Sequence, residues 1–219
     1  MNVYFSAISG QRSAFSSLGE SMGWTAVWCA VYCCWMQCSG FEENKLTLLQ
    51  REKTMKKIGL LSDTHGYWDD RFETYFAPCD EIWHAGDIGS LELAGRFEAL
   101  KPFRAVFGNI DDYKTRIAYP QTLRFTIEQT EVLMTHIGGY PGRYDPAIRP
   151  QLYARPPKLF IAGHSHILKV MYDKKLECLH MNPGAAGKYG FHRVRTLLRF
   201  VLDEGDIRDL EVIEIGQQG

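Results

Sequence analysis

No excess of charge of either sign marks this 219-residue chain: 25 Lys and Arg stand against 26 Asp and Glu, for a formal net charge of −1. Nucleic-acid binding draws on a surplus of basic residues facing phosphates, so a nucleic-acid partner is not expected. Internal repeats and low-complexity linkers are also lacking, and nothing points to a repeat array. With 45% hydrophobic and 23% charged residues, the composition is that of a folded globular protein.

Residues 1–54 lack more. They hold no Asp, His or Pro, yet carry four of the six cysteines (Cys29, Cys33, Cys34, Cys38) and three of the five tryptophans. Their charges cancel, and none occurs from Ser21 to Phe41. An uncharged stretch of that length suits a membrane anchor or a signal-peptide core. Against this, Ser21, Gly23, Thr25, Gln37, Ser39 and Gly40 interrupt it, and Arg12 alone supplies a basic start. The competing reading is a start placed upstream of the true one, because Met55-Lys-Lys57 followed by Ile58-Gly-Leu-Leu61 reads as a natural beginning. The expectation is that residues 1–54 are an N-terminal extension outside the working protein, an upstream start or a disordered segment, with an anchor as the alternative. Residues 55–219 then form a single domain, and no membrane association is expected. The pattern C-x3-C-C-x3-C has neither C-x2-C knuckles nor a nearby histidine, so these cysteines read as small apolar residues rather than a zinc site. Cys79 and Cys178 make no disulfide framework, which points to a reducing cytoplasm.

From Met55 onward the pattern is strand, loop, helix, repeated. Lys57–Leu61, Glu81–Ala85 and Phe103–Phe107 read as buried strands; helices are expected around Phe72–Phe76 and from a Ser90 cap to Leu100. This argues for an α/β beginning with neighbouring parallel strands. The second half reads as strand-rich and mostly antiparallel: Leu123–Glu128 with Glu131–Thr135, a buried Leu159–Ala162, Lys169–Tyr172 with Leu176–Met181, and Thr196–Leu202 with Leu210–Ile215. Two packed sheets with helices outside are the economical architecture.

The strands end on metal-ligand residue types. Asp63 and His65 follow the first, Asp87 the second and Asn109 the third, with Asp111 just beyond; His136 follows a later strand, and His164 and His166 another. Ligands bind at the carboxyl ends of strands in open α/β sheets, so these loops should converge. The Asp63-x-His65 and His164-x-His166 spacings place each pair on one side of an extended chain. Two aspartates, one asparagine and four histidines suffice for two metals sharing a carboxylate. A mixed oxygen and imidazole set suits Mn²⁺, Fe or Zn²⁺ better than Mg²⁺ or Ca²⁺, and the oxygen share makes Mn²⁺ the first choice, with Zn²⁺, Fe or Ni²⁺ as alternatives.

The segments Asp63-Thr-His65, Gly86-Asp87, Gly108-Asn109-Ile-Asp111, His136 and Gly163-His164-Ser-His166, in this order, resemble the five signature blocks of the calcineurin-like metallophosphoesterases. The length from Lys56 onward is similar to the small bacterial and archaeal phosphodiesterase branch. The resemblance implies a four-layer α/β/β/α sandwich, two mixed β-sheets flanked by helices. It also implies that Asp63, His65 and His166 hold one metal, that Asn109, His136 and His164 hold the other, and that Asp87 bridges them. Such a pair, roughly 3.5–4 Å apart, lowers the pKa of a bridging water and neutralises phosphoryl oxygens during in-line attack. Asp63, Asp87, Asn109, His136 and Asp111 would then be the catalytic set. The general acid departs from the pattern: relatives often carry His after the block asparagine, where this chain has Ile110, and the small phosphodiesterase branch often has a second His two places after His136, where Ile137-Gly138-Gly139 follows instead. Activity is therefore expected on esters with good leaving groups.

Other residues read less sharply. Asp111 suits either orientation of Asn109 and the ligand histidines or a simple turn. His84 and His180 read as packed or supporting residues, His192 as solvated in a basic loop, and Asn182-Pro-Gly-Ala185 as a tight turn near the metals. Gly138–Arg149 combines flexible glycines with Tyr140 and Arg143, which are expected to contact substrate. Lys188, Arg193 and Arg195 read as a solvated basic face. The most direct function is a dimetal phosphoesterase acting on small phosphodiesters, with phosphomonoesters as a further substrate class and a homo-oligomer as one assembly. A non-catalytic scaffold of the same fold is the rival, because a retromer subunit serves that role, although it departs from the ligand pattern at the first-block histidine. A nuclease is a third reading, weakened by the neutral charge.

Overall fold

Alternation organises the first strand. In β1 (Lys56–Leu61), Ile58 and Leu60 enter one buried cluster while Leu61 enters another, so both faces are covered. A strand buried on both faces belongs in the middle of a layered α/β structure. The computed structural model describes residues 55–217, within the unit Thr54–Gly219. The expected N-terminal extension, with its four cysteines and its anchor alternative, lies outside the described residues.

Two mixed five-stranded sheets form the centre. In the first, β1 pairs in parallel with β2 (Glu81–His84), and β2 in parallel with β3 (Phe103–Ala105). On its other edge β1 pairs antiparallel with β11 (Val194–Asp203), which pairs antiparallel with β12 (Asp206–Gln217). The second sheet runs β4 (Thr122–Ile127), β5 (Thr130–Thr135), β8 (Leu159–Ile161), β10 (Cys178–Pro183), β9 (Leu168–Asp173). A two-stranded hairpin, β6 (Gly139–Tyr140) and β7 (Arg143–Tyr144), stands apart.

Three apolar layers hold these parts. Between the sheets, Ile58, Leu60, Trp83, Phe200 and Leu202 meet Val132, Met134, Leu159, Ile161 and Met181. Outside the first sheet lie Phe72 and Phe76 of α1 (Arg71–Phe76) and Leu93, Ala94 and Phe97 of α2 (Leu91–Leu100). Outside the second, α4 (Arg149–Ala154) contributes Leu152, packed with Tyr144, Ile148, Leu133, Phe160 and Cys178. The fold is the α/β/β/α sandwich expected from the sequence. Among the described residues, no helix is long and apolar enough to cross a membrane.

The elements depart from the sequence reading in specific places. Ser90 does cap α2, its hydroxyl accepting from the Leu93 amide at 3.1 Å. The second half is mostly antiparallel as expected, in β4–β5, β9–β10 and β11–β12, but β8 pairs in parallel with both β5 and β10 at the centre of the second sheet. Hairpins announce themselves through local turns, whereas pairing β8 between β5 and β10 depends on crossovers that no local signal records. The hairpin β6–β7, α4 and α3 (Tyr113–Ala118, capped by Asp112 accepting from the Thr115 amide) are too short to show a period.

Arg195 overturns the solvated-face reading. It is 1% exposed, its Nε donates to the Ala186 carbonyl at 2.8 Å, and its Nη2 lies 2.9 Å from Asp69 Oδ2. Asp69 also takes a two-pronged contact from Arg71, at 2.8 and 2.7 Å. Because Ala186 and Gly187 donate to the carbonyls of Ser62 and Asp63, Arg195 braces the first ligand loop from behind. Arg195→Ala is expected to destabilise by about 2 kcal/mol, since it removes a buried side chain and leaves the Ala186 carbonyl without its donor, while Arg71 still pairs Asp69. Urea unfolding checks this, and a loss near zero would contradict the buried pairing.

Candidate metal centre

The loops after β1, β2, β3, β5 and β8 continue the pairing of the strands that feed them. Asp63 N donates to Gly86 O, His65 N to Asp87 O, Gly66 N to Ile88 O, and Gly163 N to His136 O, all between 2.8 and 3.0 Å. This backbone lacing carries residues from both sheets to one place. Asp63, His65 and His166 present donor atoms that lie within 4.8 Å of one another, and so do Asp87, His136 and His164.

Asp87 stands between the two groups. Its Oδ2 is 3.3 Å from His136 Nε2 and 3.8 Å from His65 Nε2. Asn109 Oδ1 joins the second group, 3.1 Å from His136 Nε2. Asp63 Oδ1 lies 3.1 Å from His166 Nε2 and 3.9 Å from His65 Nε2 and His136 Nε2, yet it is buried with no hydrogen-bond partner. The His65 and His166 Nε2 atoms are themselves 3.3 Å apart. Carboxylate oxygens and imidazole lone pairs converging this closely repel one another unless positive charge lies among them. The donor set therefore fits two divalent cations of the kind that accept oxygen and imidazole together.

Backbone contacts aim three of these side chains, His136, Asp87 and Asp63. His136 Nδ1 is 2.8 Å from the Ala85 carbonyl, which places a proton on Nδ1 and turns the Nε2 lone pair toward the site. Asp87 Oδ1 accepts from the Ile110 amide at 3.0 Å, and Asp63 Oδ2 from the His164 amide at 3.2 Å, tying together the loops of the two sheets. Five of the seven residues do not lie on extended chain, as their spacing had suggested. Asp63 (φ 56°), His65 (48°), Asp87 (55°), His164 (66°) and His166 (56°) all adopt the left-handed conformation. Such backbone costs on the order of 1 kcal/mol or more per residue, a load typical of functional loops. Close packing adds a further restriction: a methyl group on Gly108 would overlap the Asp87 carboxylate, and one on Gly86 the His136 ring.

Burial and charge act in opposite directions here. Burial lowers the His65 pKa, keeping its ring neutral and available as a donor. Burial also opposes charge on His136, but the facing Asp87 and Asp63 carboxylates outweigh it and raise its pKa. The His136 ring, in turn, overcomes the burial of Asp87 and holds that carboxyl low. A proton on His136 Nε2 and a cation at the same place are thus direct competitors.

Asp111 reaches the site through backbone. Its two carboxylate oxygens accept from the amides of Gly89 and Gly108, each at 2.7 Å, while Arg116 grips the carbonyls of Asp111 and Asn109. Asp111 therefore clamps the loop that presents Asn109. Tyr140 and Arg143 sit on the β6–β7 hairpin beside His164, lining a cavity of about 460 Å³ together with Lys169, His180 and Asn182. Lys169 Nζ rests 3.6 Å from the Tyr140 ring centroid. A second cavity, about 380 Å³, lies at Asn109 and His136 and shares Ile137 and Asp145 with the first.

His84 is the packed, supporting residue expected, whereas the contacts of Thr64, His192 and Tyr189 were not read from the sequence. Thr64 Oγ1 is 2.9 Å from His84 Nε2 and donates to the Ile88 carbonyl at 2.9 Å, while His84 Nδ1 accepts from the Gly86 amide at 3.2 Å. These contacts stitch the first two ligand loops together. His192 is half-buried rather than solvated: its ring centroid is 5.3 Å from that of His166, and Nε2 is 3.1 Å from the Gly187 carbonyl. Tyr189 lies against His65 with ring centroids 5.0 Å apart. Local pattern does not record the contacts of Thr64 with His84 and Ile88, of His192 with His166 or of Tyr189 with His65, because each joins segments distant in sequence.

Burial lowers the pKa of both His84 and His180 to about 4. The unfolded chain takes up protons at these rings near pH 6.5 that the folded chain refuses until about pH 4. Their contribution to stability is complete above about pH 6.5 and is lost as pH falls toward about 4. The Tm is expected to drop by several degrees between about pH 7 and about pH 4.5, and His180→Leu to flatten that slope by roughly half. Calorimetry at stepped pH reads both, and an unaltered slope in the variant would refute the assignment.

Comparison with known proteins agrees with this geometry. The family model described as the calcineurin-like phosphoesterase superfamily domain matches residues 55–205. A probable metallophosphoesterase of Methanothermobacter thermautotrophicus is 30% identical over 137 residues, covering 58% of this chain and 76% of that protein. Among solved structures, an archaeal phosphodiesterase aligns with a TM-score of 0.53 at 22% identity, over 72% of this chain and 99% of its own. Wild-type Vps29 of Entamoeba histolytica in complex with zinc aligns with a TM-score of 0.52 at 17% identity, over 72% and 98% of the two chains. At those identities the structures establish shared fold alone. Taken with the family match over most of its length, these relations mean that the chain belongs to the calcineurin-like phosphoesterase superfamily.

Proposed function

We propose that this protein is a two-metal phosphoesterase that hydrolyses small phosphodiesters, with Asp63, His65 and His166 holding one ion, Asn109, His136 and His164 the other, and Asp87 shared. The observation that carries the reading is the placement of the Asp87 carboxylate between two complete donor groups. Bound divalent ions, Mn²⁺ first among them, supply positive charge to phosphoryl oxygens and acidify water. The chain's own residues supply the rest. Asp63 and Asp87 set the negative charge that holds the ions, and the Ala85 carbonyl keeps His136 in its donor tautomer. Asp111 and Arg116 hold the Asn109 loop.

The site offers little for protonating a leaving group. Ile110 follows Asn109 and Gly138 stands two places after His136, and neither carries an ionisable side chain. A leaving alcohol must then take its proton from water, which favours acidic leaving groups. Two cavities beside the centre suit an ester with two arms better than a monoester. A scaffold reading, encouraged by the Vps29 neighbours, leaves the converging donors without a role.

With Mn²⁺, bis(4-nitrophenyl) phosphate is expected to be hydrolysed at least about tenfold faster than 4-nitrophenyl phosphate. Asp87→Asn is expected to cut that rate by about a thousandfold or more, and to lower the bound metal below two ions per chain. Steady-state assays and elemental analysis of the purified full chain test this. A protein that binds no metal, or whose Asp87→Asn variant keeps full activity, would be a scaffold or an enzyme of another kind. Metal affinity is also expected to weaken as pH falls below about 6.5, because protons compete for the same histidine nitrogens; titration of Mn²⁺ binding against pH checks this.

A further inference from the structure

One buried group near the centre has no employment in the mechanism above. His180 is 1% exposed on β10, and neither ring nitrogen has a hydrogen-bond partner. The Phe160 carbonyl is near enough to favour a proton on the ring but is not aligned to accept one. A buried imidazole with both nitrogens idle is costly, because each polar atom has given up water for nothing. The ring lines the cavity that begins at Gly163 and His164 and runs beneath the β6–β7 hairpin.

The same cavity carries two cations without carboxylate partners. Among the described residues neither Arg143 nor Lys169 forms an ion pair, and the Lys169 ammonium instead rests on the Tyr140 ring and presses on His180 electrostatically. Asp145 is the one carboxylate in the lining, and its Oδ1 accepts from the Ala147 amide. The wall is therefore cationic, with one aromatic face and a neutral imidazole able to donate one hydrogen bond and accept another. At about 460 Å³ it is of the size that holds a small-molecule arm.

We propose that this cavity is a subsite for one arm of the phosphodiester, and that the arm it takes carries a second anionic group, a carboxylate or a phosphate. Arg143 and Lys169 would meet that charge, and His180 would hydrogen-bond to a polar atom of the same arm. This rests on the phosphoesterase reading only in that the scissile phosphate sits at the metal centre, where the cavity opens.

Phosphonates separate binding from turnover, because their carbon–phosphorus bond survives any phosphoesterase. Titration calorimetry of the full chain with saturating Mn²⁺ compares phenylphosphonate, 4-carboxyphenylphosphonate and 1,4-phenylenediphosphonate. One or both of the doubly functional probes is expected to bind about tenfold more tightly than phenylphosphonate. Which of the two gains says whether carboxylate or phosphate is preferred. Arg143→Ala and Lys169→Ala should each bring the affinity ratio toward one, and His180→Leu should lower it. Arg143 is exposed, so its variant keeps the test decisive even if His180→Leu folds poorly. Equal binding of all three probes, or a ratio that survives both Arg143→Ala and Lys169→Ala, overturns the subsite. Failure to hydrolyse any diester while the ratio persists would instead overturn the phosphoesterase reading and leave the anion subsite standing.

Discussion

Mutual repulsion among converging lone pairs is the constraint on which the rest of this structure depends. Asp63 Oδ1 and Asp87 Oδ2 face the Nε2 atoms of His65, His136 and His166 at distances from 3.1 to 3.9 Å. Left to themselves these atoms would move apart, since only positive charge among them makes the arrangement favourable. The protein must therefore hold them together by other means. It does so with main-chain hydrogen bonds between successive ligand loops, and with an apolar sandwich stiff enough to resist relaxation.

Strain is distributed accordingly. Among the described residues ten non-glycine residues adopt positive φ, and they fall into two sets. Asp63, His65, Asp87, His164 and His166 form one; Glu128, Gln129, Glu177, Glu204 and Asp209, in or beside the hairpin turns or within β12, form the other. In the turns a left-handed residue is the ordinary cost of reversing a strand. At the centre it redirects a side chain that would otherwise follow the strand away from the site. The supporting bonds of Thr64, His84, Asp111 and Arg195 lie behind these strained residues. They make the strained conformation the lowest one available.

Two isoleucines shape the chemistry by what they lack. Ile110 contributes a backbone amide to Asp87 Oδ1 but no side-chain proton donor, and Ile137, like Asp145, lines both cavities. The centre is thus rich in groups that hold cations and poor in groups that transfer protons. The walls around it differ: Arg116, Gln121 and Gln151 line one cavity, and Tyr140, Arg143, Lys169 and His180 the other.

The candidate ligands were legible from residue order alone. Strand ends are marked by short apolar runs, and the donors Asp63, His65, Asp87, Asn109, His136, His164 and His166 stand immediately after them. The alternating sheet-and-helix beginning was legible for the same reason, since periodicity and capping are local properties. What neighbours each donor was not. The sequence marked His84, His180 and His192 only as histidines of minor interest, and Arg195 only as one charge in a basic run. Tertiary structure decided that His84 joins two loops, that His180 faces a cavity unpartnered, that His192 leans on His166, and that Arg195 is buried against Asp69. The parallel order β5–β8–β10 was decided in the same way. These outcomes depend on contacts between segments far apart in the chain, where long-range packing and burial, rather than local pattern, determine which polar groups meet.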